Sequence, residues 1–235
     1  MKTITVQEKV ATRLNKYISE QGVVSRRHAD EMITSGHILV NGKKAVLGQK
    51  VTHGDVISLV QVSKERVYAL YNKPRGEVTG KLPSLPGCDP VGRLDKESEG
   101  LLLYTNDYRV VDALLHPRHA REKEYEVSVR EKMTPRVITL LKRGIRTQET
   151  TYAPVKSVSI YNEGRSLRII ITEGKKHEIR RMLNALNLTV LSLKRVRIMS
   201  FSYRGIAPGK VHTLTERQQE TLFKDLGLEI SVPTK

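Results

Sequence analysis

Residues 124–141 read Glu-Tyr-Glu-Val-Ser-Val-Arg-Glu-Lys-Met-Thr-Pro-Arg-Val-Ile-Thr-Leu-Leu, and two periodicities meet inside them. Tyr125 and Val127 alternate with Glu124, Glu126 and Ser128, the two-residue repeat of a strand with one buried face. Thr134-Pro135 then starts a helix that runs to Leu141, because proline in a first turn lacks only an amide hydrogen that no carbonyl would have accepted. Working outward, Val67–Tyr71, Leu101–Tyr104 and Leu167–Ile171 read as further strands, and Val110–Leu115 and Lys176–Leu186 as helices. Strands and helices mix without the regular alternation of a parallel βαβ array. This predicts an α+β fold with a mixed, largely antiparallel sheet.

The N-terminal part reads as a unit of its own. Leu14, Tyr17 and Ile18 recur at helical spacing, and after a break at Gly22 so do Ala29, Met32 and Ile33, with Ser25 placed to cap the second helix. The pattern then turns to alternation: Ile38 and Val40, the hairpin signal Asn41-Gly42, Ala45 and Val46 on the return, a turn at His53-Gly54-Asp55, and the strand Val56–Leu59. A polar stretch follows. The organisation expected is an αα-β domain over residues 1–61, a linker over 62–66 and a second domain over 67–235.

Lysine and arginine number 41 against 25 acidic residues, a formal net charge of +16, and such a field favours a polyanion, most commonly nucleic acid. Arg13, Lys16, Arg26, Arg27, Lys43 and Lys44 gather on the two N-terminal helices and the hairpin, where they can meet phosphates together. Any one of them alone fits a solvated face equally well. From Arg165 to Lys210 there are eleven basic residues and two acidic ones, and Lys176, Arg181, Lys194, Arg195 and Arg197 are candidates there for RNA contact. The single cysteine, Cys88, excludes an intrachain disulfide, and no Cys-x-x-Cys pair, glycine-rich dinucleotide loop or phosphate-binding loop is present. His116 and His119 lack the acidic or cysteine neighbours of a metal site, so neither metal nor cofactor is expected. No stretch approaches a membrane span, and a cytoplasmic monomer is the expectation.

In Val91-Gly92-Arg93-Leu94-Asp95-Lys96-Glu97-Ser98-Glu99-Gly100-Leu101, an aspartate stands in a loop just before a buried strand. A carboxylate there can be held by a rigid sheet and still open to a cleft. From the residues alone, an ordinary acidic turn residue is the commoner reading.

Two resemblances change that balance. Arg13–Ile18, Ser25–Asp30 and Gly36–Lys43 resemble the RNA-binding domain named after ribosomal protein S4, over about residues 12 to 60. Gly92-Arg93-Leu94-Asp95 with Ser98-Glu99-Gly100-Leu101-Leu102 is similar to the active-site motif of pseudouridine synthases of the RsuA/RluB/RluF group. Asn72–Gly76, Glu122–Val127, Glu173–Met182, Leu193–Ile198 and Ala207–Gly209 agree with that group in order, so the similarity runs from about residue 67 to 228.

The resemblance implies isomerisation of uridine to pseudouridine in ribosomal RNA. Asp95 would be the essential carboxylate, Tyr125 the platform for a flipped base, and Arg180 the ion-pair partner of Asp95. Arg93 would help fill the space the nucleotide vacates, or contact a phosphate. Such chemistry needs no redox step and no metal. Ile198-Met199 and Arg13–Glu20 lean toward enzymes of large-subunit RNA, with small-subunit RNA as the alternative. A non-catalytic ribosome-assembly factor would not need Asp95, Tyr125 and Arg180 together, and a methyltransferase would need a cofactor loop that the sequence lacks. The connection Glu77–Pro90 is shorter than is common in the group and is expected to be a compact surface loop.

Overall fold

Asn41 and Gly42 have φ of 51° and 78°, the left-handed pair that a two-residue hairpin turn demands, and strands β3 (Ile38–Val40) and β4 (Lys43–Lys44) pair across them. The structure is a computed structural model that describes residues 2–21, 23–24, 26–59 and 66–229. It divides into two compact units, Met1–Arg66 with Asp107–Asp112, and Val67–Asn106 with Ala113–Lys235. Gly22, Ser25 and the expected linker apart from Arg66 lie outside the described residues.

In the first unit, β1 (Lys2–Thr5) and β2 (Thr12–Arg13) precede helices α1 (Leu14–Glu20) and α2 (Arg26–Thr34), and β5 (Lys50–Val51) and β6 (Val56–Leu59) follow the hairpin. A four-stranded sheet in the order β1-β6-β3-β4 results, with β2 and β5 paired separately. Leu14, Tyr17 and Ile18 of α1 and Ala29 and Ile33 of α2 form one core with Ile38, Val40 and Ile57 of the sheet, so the helical and alternating periods converge on the same apolar cluster.

The second unit is built on a sheet in the order β13-β14-β10-β15-β9-β7-β17, with β8 and β16 paired alongside. Its strands are β7 (Tyr68–Lys73), β8 (Asp89–Val91), β9 (Glu99–Thr105), β10 (Lys123–Val129), β13 (Ser157–Tyr161), β14 (Ser166–Ile171), β15 (Val190–Ile198), β16 (Phe201–Ser202) and β17 (Val211–Thr213). β11 (Ile145–Arg146) and β12 (Thr151–Tyr152) form a separate ribbon. Among the described residues the pairs are antiparallel except β9 with β15, so the sheet is mixed and largely antiparallel, and the fold is α+β as expected. Helix α3 (Tyr108–Leu115) begins in the 107–112 segment counted with the first unit, and α4 (Pro135–Arg143), α5 (Glu178–Asn184) and α6 (Glu216–Leu226) complete the order. Thr134 is the N-cap of α4 with proline in its first turn. Among the described residues no helix is long and apolar enough to cross a membrane.

The connection 77–90 departs from its expected role as a surface loop. It buries Thr79, Leu85 and Cys88, and its end becomes β8, paired with β9. An apolar side chain every few residues anchors it to the core in spite of its prolines.

Candidate active site

Asp95 sits in a segment whose backbone is tied down on both sides. Thr79 Oγ1 donates to the carbonyl of Leu94 at 2.7 Å and accepts the Leu94 amide at 3.1 Å, while the Leu94 side chain is buried. On the other side, the Gly76 amide donates to Lys96 O at 2.8 Å and the Ser98 amide to Asp95 O at 3.0 Å. The carboxylate itself is 38% exposed. A half-open acid on an over-determined loop has the geometry of a preorganised reactive group.

Lys73, at the end of β7, is fully buried beside this loop. Its ammonium donates to Pro74 O at 2.9 Å, Glu77 O at 2.7 Å and Lys96 O at 3.5 Å, so its three protons all meet carbonyls. Burial lowers its pKa, against the opposing pull of Glu77, Glu99, Asp95 and Glu97. Its role as a buried strut of the Asp95 loop was not legible in the sequence, where it stands in the matching segment Asn72–Gly76 but has no pattern of its own.

The partner of Asp95 differs from the one expected. His177 Nε2 lies 3.2 Å from Asp95 Oδ1. Arg180 instead donates to Glu97 O at 3.1 Å and Ser98 Oγ at 3.3 Å, and among the described residues it forms no ion pair with Asp95. The helix explains this. Ile179, Met182 and Leu183 of α5 are buried, which fixes the face on which Arg180 leaves the helix and directs it to the turn after Asp95 rather than to the carboxylate. Arg180 and Asp95 therefore belong to one segment–helix junction without touching.

Tyr125 is 7% exposed on the inner face of β10, whose burial alternates through Lys123, Tyr125, Val127 and Val129. Its ring packs within the main core, and opposite it in β15 stands Arg195. Arg93 is exposed.

Arg195 must be corrected as a surface RNA contact. It is 3% exposed, its Nε donates to Leu101 O at 2.7 Å, and its second terminal nitrogen is buried without a partner among the described residues. Arg195 stands opposite the inward Tyr125 and shares the strand parity of the buried Leu193, and an irregularity in the β10–β15 register between Glu124 and Tyr125, which gives Val196 no partner in β10, then turns Val196 and Ile198 inward as well. Lys123 and Glu178 are buried as well. Burial, with help from Arg195, lowers the Lys123 pKa to about 8, while burial raises that of Glu178. Gly100 lies where β9 meets Arg195: at φ 107°, an added Cβ would come within 2.2 Å of Arg195 O.

The other candidate RNA contacts fall into two groups. Arg13, Lys16, Arg26, Lys43 and Lys44 of the first unit are exposed, Lys16 in a 3.6 Å pair with Glu20, and the Arg27 side chain lies outside the described residues. In the second unit Lys176 is exposed, Arg181 pairs with Glu149, Arg197 pairs with Glu122 and Glu124, and Lys194 lies over the Tyr203 ring at 4.1 Å. An open depression of about 300 Å³ beside α5 is bordered by His177, Arg180 and Arg181.

Three kinds of similarity bear on this site. The family model for RNA pseudouridylate synthase matches residues 60–185, and that for the S4 domain matches residues 12–57. The chain is 34% identical over 232 residues to the dual-specificity RNA pseudouridine synthase RluF of Salmonella typhi, covering 91% of this chain and 79% of that one. It is 35% identical over 231 residues to the ribosomal large subunit pseudouridine synthase B of Bacillus subtilis, covering 89% and 95%. A solved pseudouridylate synthase superposes with a TM-score of 0.67 at 25% identity, over 89% of this chain and 99% of that one.

Proposed function

We propose that this chain, which belongs to the RNA pseudouridylate synthase family and isomerises uridine to pseudouridine in RNA, takes ribosomal RNA of the large subunit as its substrate. Residues 67–235 carry the chemistry in this reading, residues 1–61 dock RNA, and the protein works as a cytoplasmic monomer. The observation that carries the catalytic assignment is the anchored segment around Asp95, with its half-exposed carboxylate.

The reaction is a rearrangement within one nucleotide. The bond from N1 of the base to C1′ of the sugar breaks, the uracil turns, and C5 bonds to C1′ while C5 loses a proton and N1 gains one. Asp95 supplies the carboxylate that attacks or stabilises the separated fragments. Tyr125 offers its ring as the surface against which the flipped base turns. Arg180 holds the turn Glu97-Ser98 from α5 and so acts on the carboxylate through the segment that bears it. Arg93, exposed two residues before Asp95, faces the RNA.

Mapping pseudouridines in ribosomal RNA from cells lacking this protein tests the reading. Loss of one site in large-subunit RNA, restored by the intact gene, is the expected result. Loss confined to small-subunit RNA would overturn the substrate assignment, and an unchanged map would overturn ribosomal RNA as the substrate.

A further inference from the structure

We infer that His177 is a positioning residue for the Asp95 carboxylate, holding one of its oxygens and leaving the other free to react; the inference rests on the reading of Asp95 as catalytic. Three observations converge on it. The first is contact: His177 Nε2 is 3.2 Å from Asp95 Oδ1, and the two side chains are 44% and 38% exposed, so the pair stands where RNA can reach it. The ring nitrogen approaches one carboxylate oxygen at ion-pair distance. Among the described residues Oδ2 has no hydrogen-bond partner, which leaves its lone pairs available to the reacting carbon.

The second is strain. His177 has φ 56° and ψ 27°, the left-handed conformation that a residue with a Cβ adopts at a cost and glycine adopts freely. The turn is locked from both sides: the Glu178 carboxylate accepts the Lys175 amide at 2.8 Å, the Glu178 amide donates to Lys175 O at 3.1 Å, and the Arg181 amide donates to His177 O at 2.9 Å. The locked backbone fixes the direction in which the His177 side chain leaves the turn, and from there the ring reaches the carboxylate. A position where glycine would be less strained but a side chain stands against a reactive group is where positioning outweighs local stability.

The third is the position of Arg180. Arg180 is held by Glu97 O and Ser98 Oγ, and among the described residues the side chain at ion-pair distance from Asp95 is His177. The two residues divide the work, Arg180 fixing the turn and His177 fixing the acid.

Single-turnover measurements with the full chain and saturating RNA test this. His177→Ala is expected to lower the saturating rate by about tenfold to a hundredfold, with RNA affinity within about threefold of wild type. His177→Gln, whose amide N–H reaches nearly as far, is expected to recover most of the rate. His177→Gly is expected to melt no lower than wild type while being as slow as His177→Ala, a divergence that a purely structural role would not produce. A wild-type rate in His177→Ala, or a loss seen only in affinity, would overturn the inference. So would failure of His177→Gln to recover any rate while folded. Asp95→Asn run in parallel separates the two levels: if it is inactive while His177→Ala is unimpaired, only the positioning role falls, and if it turns over like wild type, the catalytic reading of Asp95 falls as well.

Discussion

The first unit and the β10–β15 part of the second carry their positive charge in opposite ways. In the first, Arg13, Arg26, Lys43 and Lys44 are exposed on helix ends and a hairpin. In the second, β10 presents Glu124 and Glu126 across from Arg197 and Arg168, with Glu122 at its edge, and these carboxylates take up Arg168, Arg197 and Lys156 in a cross-strand ladder, while Arg195 is buried altogether. Basic residues thus form an electrostatic surface on the first unit and structural cement along β10 and β15, while Arg93 and Lys176 of the second unit stay exposed. A count of cations locates the partner class, and only register and burial locate the contacts.

The buried side of this contrast is most sensitive at Gly100. Gly100→Ala places a Cβ 2.2 Å from Arg195 O at a backbone φ of 107°, forcing β9 and β15 apart. A loss of at least about 3 kcal/mol is expected in denaturant unfolding. A loss below about 1 kcal/mol would mean that the β9–β15 junction yields, and that Arg195 is less tightly enclosed than its burial indicates.

Lys123 gives the second test. Its pKa is lowered to about 8 from an ordinary 10.5, so between these values the unfolded chain holds a proton that the folded chain has released. Stability therefore rises with pH through that window on account of this group, and below about pH 8 the buried charge is a constant burden. The stability of wild type relative to Lys123→Met is expected to increase by up to about 3 kcal/mol between pH 8 and 10.5, measured by urea unfolding at each pH. A difference independent of pH would show that Lys123 is solvated after all.

Much of this organisation was legible in the sequence because its causes are local. Asn41-Gly42 dictates its turn, Thr134-Pro135 starts its helix, and residues 124–128 alternate in the sequence as they do in the sheet. Arg195 was misassigned because a cation in a basic run reads as surface, although Leu193 and Arg195 share strand parity and already hinted at an inward face. The irregularity that turns Val196 and Ile198 inward as well depends on the partner strand and leaves no local mark. The His177–Asp95 contact, and the grip of Thr79 on Leu94, join segments distant in sequence through the packing of α5 and the 77–90 connection. Neither follows from spacing.

On the exposed side, replacing Arg26, Lys43 and Lys44 together by Gln should weaken RNA binding about ten- to a hundredfold and reduce the salt dependence of log Kd by about 2. Stability should stay nearly unchanged, since surface substitutions of this kind move it by about 0.5 kcal/mol each at most. An unaltered salt slope would remove the first unit from the RNA contact. The smallest effect is expected from Arg168→Gln, whose guanidinium is taken up by Glu124 and Glu126: RNA affinity should change by less than about threefold. A larger loss would show that the β10 ladder opens to phosphate and that the two units are less different than they look.

The most direct test of the account is Asp95→Asn, which keeps the shape of the side chain and removes its charge. In a single-turnover assay of pseudouridine formation with saturating RNA, the pure variant is expected to form none above background, while its RNA affinity stays within about tenfold, roughly 1.4 kcal/mol. Turnover at the wild-type rate by that variant would contradict the assignment of Asp95, and with it the reading of the whole anchored segment as the reactive center.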